Sequence, residues 1–170
     1  MQFHSPSGGG RGGPPGGARQ GNYGGGGPPS LKVESLWPGY LKSGYFDQEG
    51  NLRAEFVLRE NVGKLARQVE IERLTTGQLR RFFGHARGIE QRLKLGQQTW
   101  ESLRPEFLKL DVAAEDARGK KPSPKIPEIF YDFIKRNVAA VKTEREFLRG
   151  FLPHFEALVG FCSGKLSDRS

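Results

Sequence analysis

Leu74-Thr75-Thr76-Gly77-Gln78-Leu79-Arg80-Arg81-Phe82-Phe83-Gly84-His85-Ala86-Arg87-Gly88-Ile89-Glu90-Gln91-Arg92-Leu93-Lys94 is the stretch that decides the fold class of this chain. Thr75 and, three residues on, Gln78 form a capping-box pair. Each side chain satisfies a backbone N–H that the first helical turn leaves without a partner. Leu79, Phe82, Phe83, Ala86, Ile89 and Leu93 then recur with a 3.6-residue period, the mark of a helix with one buried face.

The same period appears on both sides of this helix. Leu58, Val62, Leu65, Ala66 and Val69 make a stripe before it. After it, residues 98–117 carry Trp100, Leu103, Phe107, Leu108, Leu110 and Val112, with Pro105 marking a kink or a fresh helix start. Ile126, Ile129, Phe130, Phe133, Ile134, Ala140 and Val141 line a fourth helix. Phe147, Leu148, Phe151, Leu152, Phe155, Leu158 and Val159 line a last one that begins near Thr143 and bends at Gly150 and Pro153. Five amphipathic helices with short connections predict an all-α fold, a compact bundle over residues 54–163. Residues 31–53 pair apolar side chains between Pro38, Gly39 and Gly44 and read as an extended strap or short hairpin, with a turn at Asp47-Gln48-Glu49-Gly50-Asn51. Residues 164–170 read as a flexible tail.

Residues 1–30 are of another kind. Half of the 24 glycines fall here, and the only charges are Arg11 and Arg19. Such a stretch buries too little apolar surface to offset its ordering entropy, so a disordered arm is expected. Arg11-Gly12-Gly13 and Tyr23 give it the composition of segments that hold single-stranded RNA through arginine charge and stacking; a plain solubilising tail has the same composition.

The whole chain of 170 residues has 27 Lys+Arg against 19 Asp+Glu, a net charge of +8. No apolar run approaches the roughly 20 residues of a membrane span, and no apolar core follows the N-terminus as in a secretion signal. A cytoplasmic protein with affinity for polyanions is the expectation. Residues 64–94 concentrate the charge, with eight Lys or Arg against Glu70, Glu72 and Glu90. At about 100° per residue, Arg80, Arg87 and Lys94 share one row beside the apolar stripe, while Arg81 and Arg92 fall on its other side. Cations seven residues apart are about 10.5 Å apart along the axis and suit phosphates of a nucleic-acid backbone, which arginine grips with a planar fork. Lys120 and Lys121 lie in a second basic segment, Gly119-Lys120-Lys121-Pro122-Ser123-Pro124-Lys125.

Catalytic patterns are missing. There is no phosphate-cradling glycine loop between a strand and a helix and no His-Glu-x-x-His. A lone Cys162 rules out an intramolecular disulfide and a cysteine-based zinc site. His85 has no cysteine or carboxylate at helical ligand spacing, and His154 reads as a boundary residue beside Phe155. No cofactor, no metal and no enzymatic activity are expected.

Leu74-Thr75-Thr76-Gly77-Gln78-Leu79-Arg80 resembles the opening of a helix in the small helical subunit of the type III-A CRISPR effector, the Csm complex. Phe155-Glu156-Ala157-Leu158-Val159-Gly160-Phe161 is similar to the C-terminal helix of that family, and the Tyr45-Phe46-Asp47 to Leu52-Arg53 turn resembles some members. The likeness covers residues 40–163. It implies a non-catalytic structural subunit for antiviral defence. Several copies stack beside the backbone subunits and hold the guide RNA and its paired target RNA, while cleavage belongs to the backbone and large subunits. Carried over, Arg80 contacts RNA backbone, Gln78 stands where many relatives carry Lys, and Arg118 is the basic residue matched in a stretch, residues 112–118, that is longer and more acidic than in relatives. Two other readings fit the composition: a helical protein–protein adaptor, or an RNA-binding protein in which the arm dominates.

Overall fold

The structure is a computed structural model and describes residue 9, residues 30–123 and residues 125–166. The expected disordered arm lies outside the described residues except at positions 9 and 30, as does the expected tail beyond residue 166.

Among the described residues the fold is all-α. It comprises α1 (Val33–Leu36), α2 (Arg59–Ile71), α3 (Thr76–Lys94), α4 (Trp100–Gly119), α5 (Glu128–Ala140), α6 (Glu144–Glu146) and α7 (Leu152–Cys162). A 3-10 turn, Ala54–Phe56, precedes α2, and a π turn, Phe147–Phe151, makes residues 144–162 one continuous helical run. The π turn absorbs the irregularity expected at Gly150 and Pro153, since it lies directly before Pro153, which has no N–H to give to the helical ladder. An isolated antiparallel bridge joins Phe46 to Leu52. No described helix is long and apolar enough to cross a membrane.

Local chemistry sets the helix ends. Thr75 accepts from the Gln78 N–H at 3.2 Å and the Thr75 N–H donates to Gln78 Oε1 at 2.9 Å, the expected capping box. Thr143 and Glu146 repeat it at α6. Pro105 neither kinks the chain into two helices nor starts one. The helix begins at Thr99, whose hydroxyl caps Ser102 N–H, and runs uninterrupted to Gly119. Leu108 and Val112, expected in the core, are 40% and 67% exposed, and Leu58 is 44% exposed. Leu108 and Val112 fall off the buried stripe because Leu103, Phe107, Leu110 and Ala114 already fill the inner face of α4.

α2 packs along α7, α4 along α5, and α3 against both α4 and α7. Aromatic rings stand at many of these contacts. Phe83 of α3 meets Phe155 of α7 edge-on at 5.2 Å, and Phe82 meets Phe130 of α5 at 5.3 Å. Trp100, Phe107 and Phe147 close the other end, with centroids 5.3–5.6 Å apart. Such rings supply large buried area with defined geometry.

His154 corrects the sequence reading. It is not a boundary residue; it is fully buried. Its Nδ1 lies 2.7 Å from the Phe56 carbonyl, which only accepts, so Nδ1 carries the proton. Nε2 then accepts from the Tyr40 hydroxyl at 2.7 Å. Tyr40 accepts in turn from Asn137 Nδ2 at 2.7 Å, and Tyr45 O–H donates to Asn137 Oδ1 at 2.7 Å. Every buried polar side-chain atom described has a partner. This chain of bonds fastens residues 40–56 onto α5 and α7. Asp132 adds a second fastening by accepting from Val33 N–H at 2.9 Å and from Arg136 Nε at 2.8 Å.

The buried histidine makes stability depend on pH. Burial pushes the His154 pKa from 6.5 down to about 4, so the unfolded chain takes up the proton first as pH falls. The stability due to neutral His154 is complete above pH 6.5 and is lost between 6.5 and 4, by up to about 3 kcal/mol. Urea unfolding across this range should show the loss, and the His154 ring resonances should titrate near the lower value. Gly150 faces Tyr45 so closely that an added Cβ lies 2.5–2.9 Å from three carbons of its side chain. Gly150→Ala should therefore destabilise the fold by roughly 1–3 kcal/mol in thermal melts, the range for overpacking.

Candidate nucleic-acid interface

The turn between α2 and α3 orients the basic helix. Leu74 N–H donates to the Val69 carbonyl and Arg73 N–H to that of Glu70, both at 2.9 Å, with Arg73 at φ 64°. This is a left-handed helix stop that buries Leu74 and hands the chain to the Thr75 cap. α3 ends the same way at Gly96, φ 63°.

Between these stops α3 has two unlike faces. Leu79, Phe82, Ala86 and Ile89 are buried. Measured around the axis from Leu79, Arg80, Arg87 and Lys94 lie near 80° and Arg81 and Arg92 near 210°. Gly77, Gly84 and Gly88 lie between them at about 160°, opposite the buried stripe. A Cβ added at any of the three meets nothing within 4 Å, so no contact within the described residues requires a glycine there. Gly84 and Gly88, inside the helix, each still cost it roughly 0.5–1 kcal/mol relative to alanine, while Gly77 lies in the first turn. Between Gly77 and Gly88 the outer face of α3 is thus a furrow flanked by two rows of cations, with Gln91 and Leu95 standing on the same side beyond Gly88. Charge and apolar patterning in the sequence locates the rows and passes over the furrow, because glycine adds to neither.

The expected contact residues differ in how free they are. Arg80 and Arg81 are exposed, and neither pairs with a described carboxylate. Arg87 and Lys94 both pair with the buried Glu90, at 2.5 and 2.6 Å. Arg92 donates to the Gly88 carbonyl and to Gln98 Oε1, each at 3.3 Å. Gln78 is occupied by the cap and by donation to the Lys125 carbonyl. Arg118 lies between Glu128 at 3.1 Å and Glu115 at 3.3 Å, 4.3 Å above the Tyr131 ring. Lys120 pairs with Asp116 at 2.9 Å, and Lys121 is exposed. The fold therefore gathers Arg80, Arg81, Arg87, Arg92 and Lys94 on one helix. Arg118, Lys120 and Lys121 belong to the end of α4. Gln78 and Arg118 share a cleft of about 770 Å³ there with Arg73, Lys125, Glu72 and Glu128, where the two carboxylates offset the cations.

The remaining polar groups do structural work. His85 Nε2 bridges to the Glu106 carbonyl at 2.9 Å and joins α3 to α4. Cys162 is buried, and burial pushes its thiol pKa up to about 12, which suppresses the reactive thiolate.

The family model described as Csm2 Type III-A matches residues 57–163, from just before α2 to just past the end of α7. The chain belongs to the Csm2 family. It is accordingly a structural small subunit of the type III-A CRISPR effector and a partner of the other Csm proteins of that complex. No curated protein and no solved structure matches the chain. The Csm2 match contains all of α3 and the aromatic core of the bundle. The strap of residues 31–56 lies before it, so the resemblance noted at Tyr45–Arg53 falls outside the matched span.

Proposed function

We propose that this Csm2 subunit is non-catalytic and lines the guide RNA–target RNA duplex, touching phosphates with the outer face of α3. The observation that carries the reading is the furrow of Gly77, Gly84 and Gly88 between two cation rows. Glycine lets a backbone approach another surface closely. Arginines on both sides of such an approach hold phosphate oxygens and read no base edges. Further copies of the subunit would repeat the furrow along the duplex, and the backbone and large subunits would supply the remaining walls and the cleavage chemistry.

Arg80 and Arg81 carry most of the interaction in this reading. Arg87 and Lys94 contribute less, because Glu90 already offsets one of their two charges. Removing one phosphate-binding cation lowers the log–log salt slope of binding by roughly 0.7–0.9. Arg80→Ala with Arg81→Ala should weaken binding to duplexes of unrelated sequence by a similar factor and reduce that slope, with thermal melting unchanged. Arg87→Ala with Lys94→Ala should have the smaller effect. Wild-type affinity and slope in the Arg80/Arg81 variant would overturn the reading, and a loss confined to certain sequences would replace phosphate contact with base readout.

A further inference from the structure

A second cationic surface lies away from α3. Leu36 of α1, Arg59, Gly63, Lys64 and Arg67 of α2, and Lys165 after α7 enclose a groove of about 420 Å³. Four cations stand there against one carboxylate, Glu60. None of the four pairs with a described carboxylate within 4 Å, unlike Arg118 and Lys120 at the end of α4. A surface that merely solvates mixes signs evenly and pairs them; this one has a single carboxylate, and none of its four cations pairs with it. α2 and α3 each pack against α7, and the groove shares no residue with the α3 rows.

The lining selects among polyanions. Single-stranded nucleic acid is held by aromatic platforms on which bases stack. No aromatic side chain among the described residues lines this groove, and the nearby Phe161 ring is covered by the Arg59 guanidinium at 5.0 Å. Its apolar part is aliphatic, formed by Leu36 and by the helix surface that Gly63 leaves low. The Arg59 stem lies against that surface, 3.3 Å from where a Gly63 Cβ would stand. An aliphatic floor with a cationic rim complements an extended peptide that carries carboxylates beside aliphatic side chains. We infer that the groove between α1, α2 and the turn after α7 docks a short acidic, aliphatic segment of a protein partner. The inference is independent of the RNA reading of α3.

The test is anisotropy of a labelled peptide alternating glutamate with leucine, titrated with the full chain. Wild type should bind saturably and release the peptide as salt is added. Lys64→Glu with Arg67→Glu should lower affinity at least about tenfold, and the milder Lys64→Gln with Arg67→Gln should lower it in the same direction, both with the wild-type melting curve. Arg80→Ala with Arg81→Ala should change it by less than about twofold, since additivity fails only between neighbours. A peptide with glutamine in place of glutamate should not bind. Undiminished peptide binding in both Lys64/Arg67 variants overturns the inference, as does absence of binding to wild type. Loss of peptide binding on the Arg80/Arg81 variant instead would place the peptide on the RNA face. Loss of RNA rather than peptide binding in the Lys64/Arg67 variants would assign the groove to nucleic acid. Neither RNA result on Arg80/Arg81 bears on the peptide result, so the two proposals fail separately.

Discussion

A histidine sealed from water needs a donor on one side and an acceptor on the other, and most of this molecule is arranged around meeting that need for His154. The Phe56 carbonyl accepts a hydrogen bond from its Nδ1–H, the Tyr40 hydroxyl donates one to its Nε2, and Asn137 and Tyr45 complete the set. An unmet partner in this interior would cost about 1–3 kcal/mol. The bonds therefore tie three separate segments together: the strap before α2, the later part of α5 and the start of α7. Phe155, next along α7, makes ring contacts with Phe83, Phe133 and Phe151. The position of α3 thus follows from the position of α7, and the basic face of α3 points outward because its phenylalanines are turned inward.

That division of one helix into a packed face and a bare, charged face links fold to function in this Csm2 protein. The packed face is stabilised by aromatic burial. The bare face is destabilised by Gly84 and Gly88 inside the helix and carries Arg80 and Arg81 without a described carboxylate partner. No contact within the described residues requires those glycines, which is why the proposed function gives this face an external partner. Glu90 tempers the charge on one flank by holding Arg87 and Lys94, and leaves Arg80 and Arg81 as the free pair near the helix start, where the N-terminal dipole adds positive potential.

The sequence made the helices legible because their apolar period is strong and their caps are explicit: Thr75 with Gln78 and the Thr143 start both stand in the structure. It made the row of Arg80, Arg87 and Lys94 legible as charge. Glu90, three residues after Arg87 and four before Lys94, stands at helical pairing distance from both, and the structure makes both pairs. Arg118, matched through the family resemblance as an RNA-binding residue, is held by Glu115 and Glu128, the second of which arrives from another helix. His154 looked like a boundary residue because its hydrogen-bonding companions are spread over residues 40–137 and carry no local signature. Leu108 and Val112 misled by type, since an apolar residue off the buried stripe of α4 looks the same in composition as one on it.

The proposed RNA contact rests on the furrow of α3, and filling it tests that proposal directly. Gly84→Gln with Gly88→Gln puts two side chains into open space, so the fold has no reason to resist. Better helix propensity should raise stability by roughly 1 kcal/mol or more in total. The more stable variant should nonetheless bind an RNA duplex distinctly more weakly than wild type, although its charge is unchanged. Equal or tighter binding together with the higher stability would contradict the role given to the furrow.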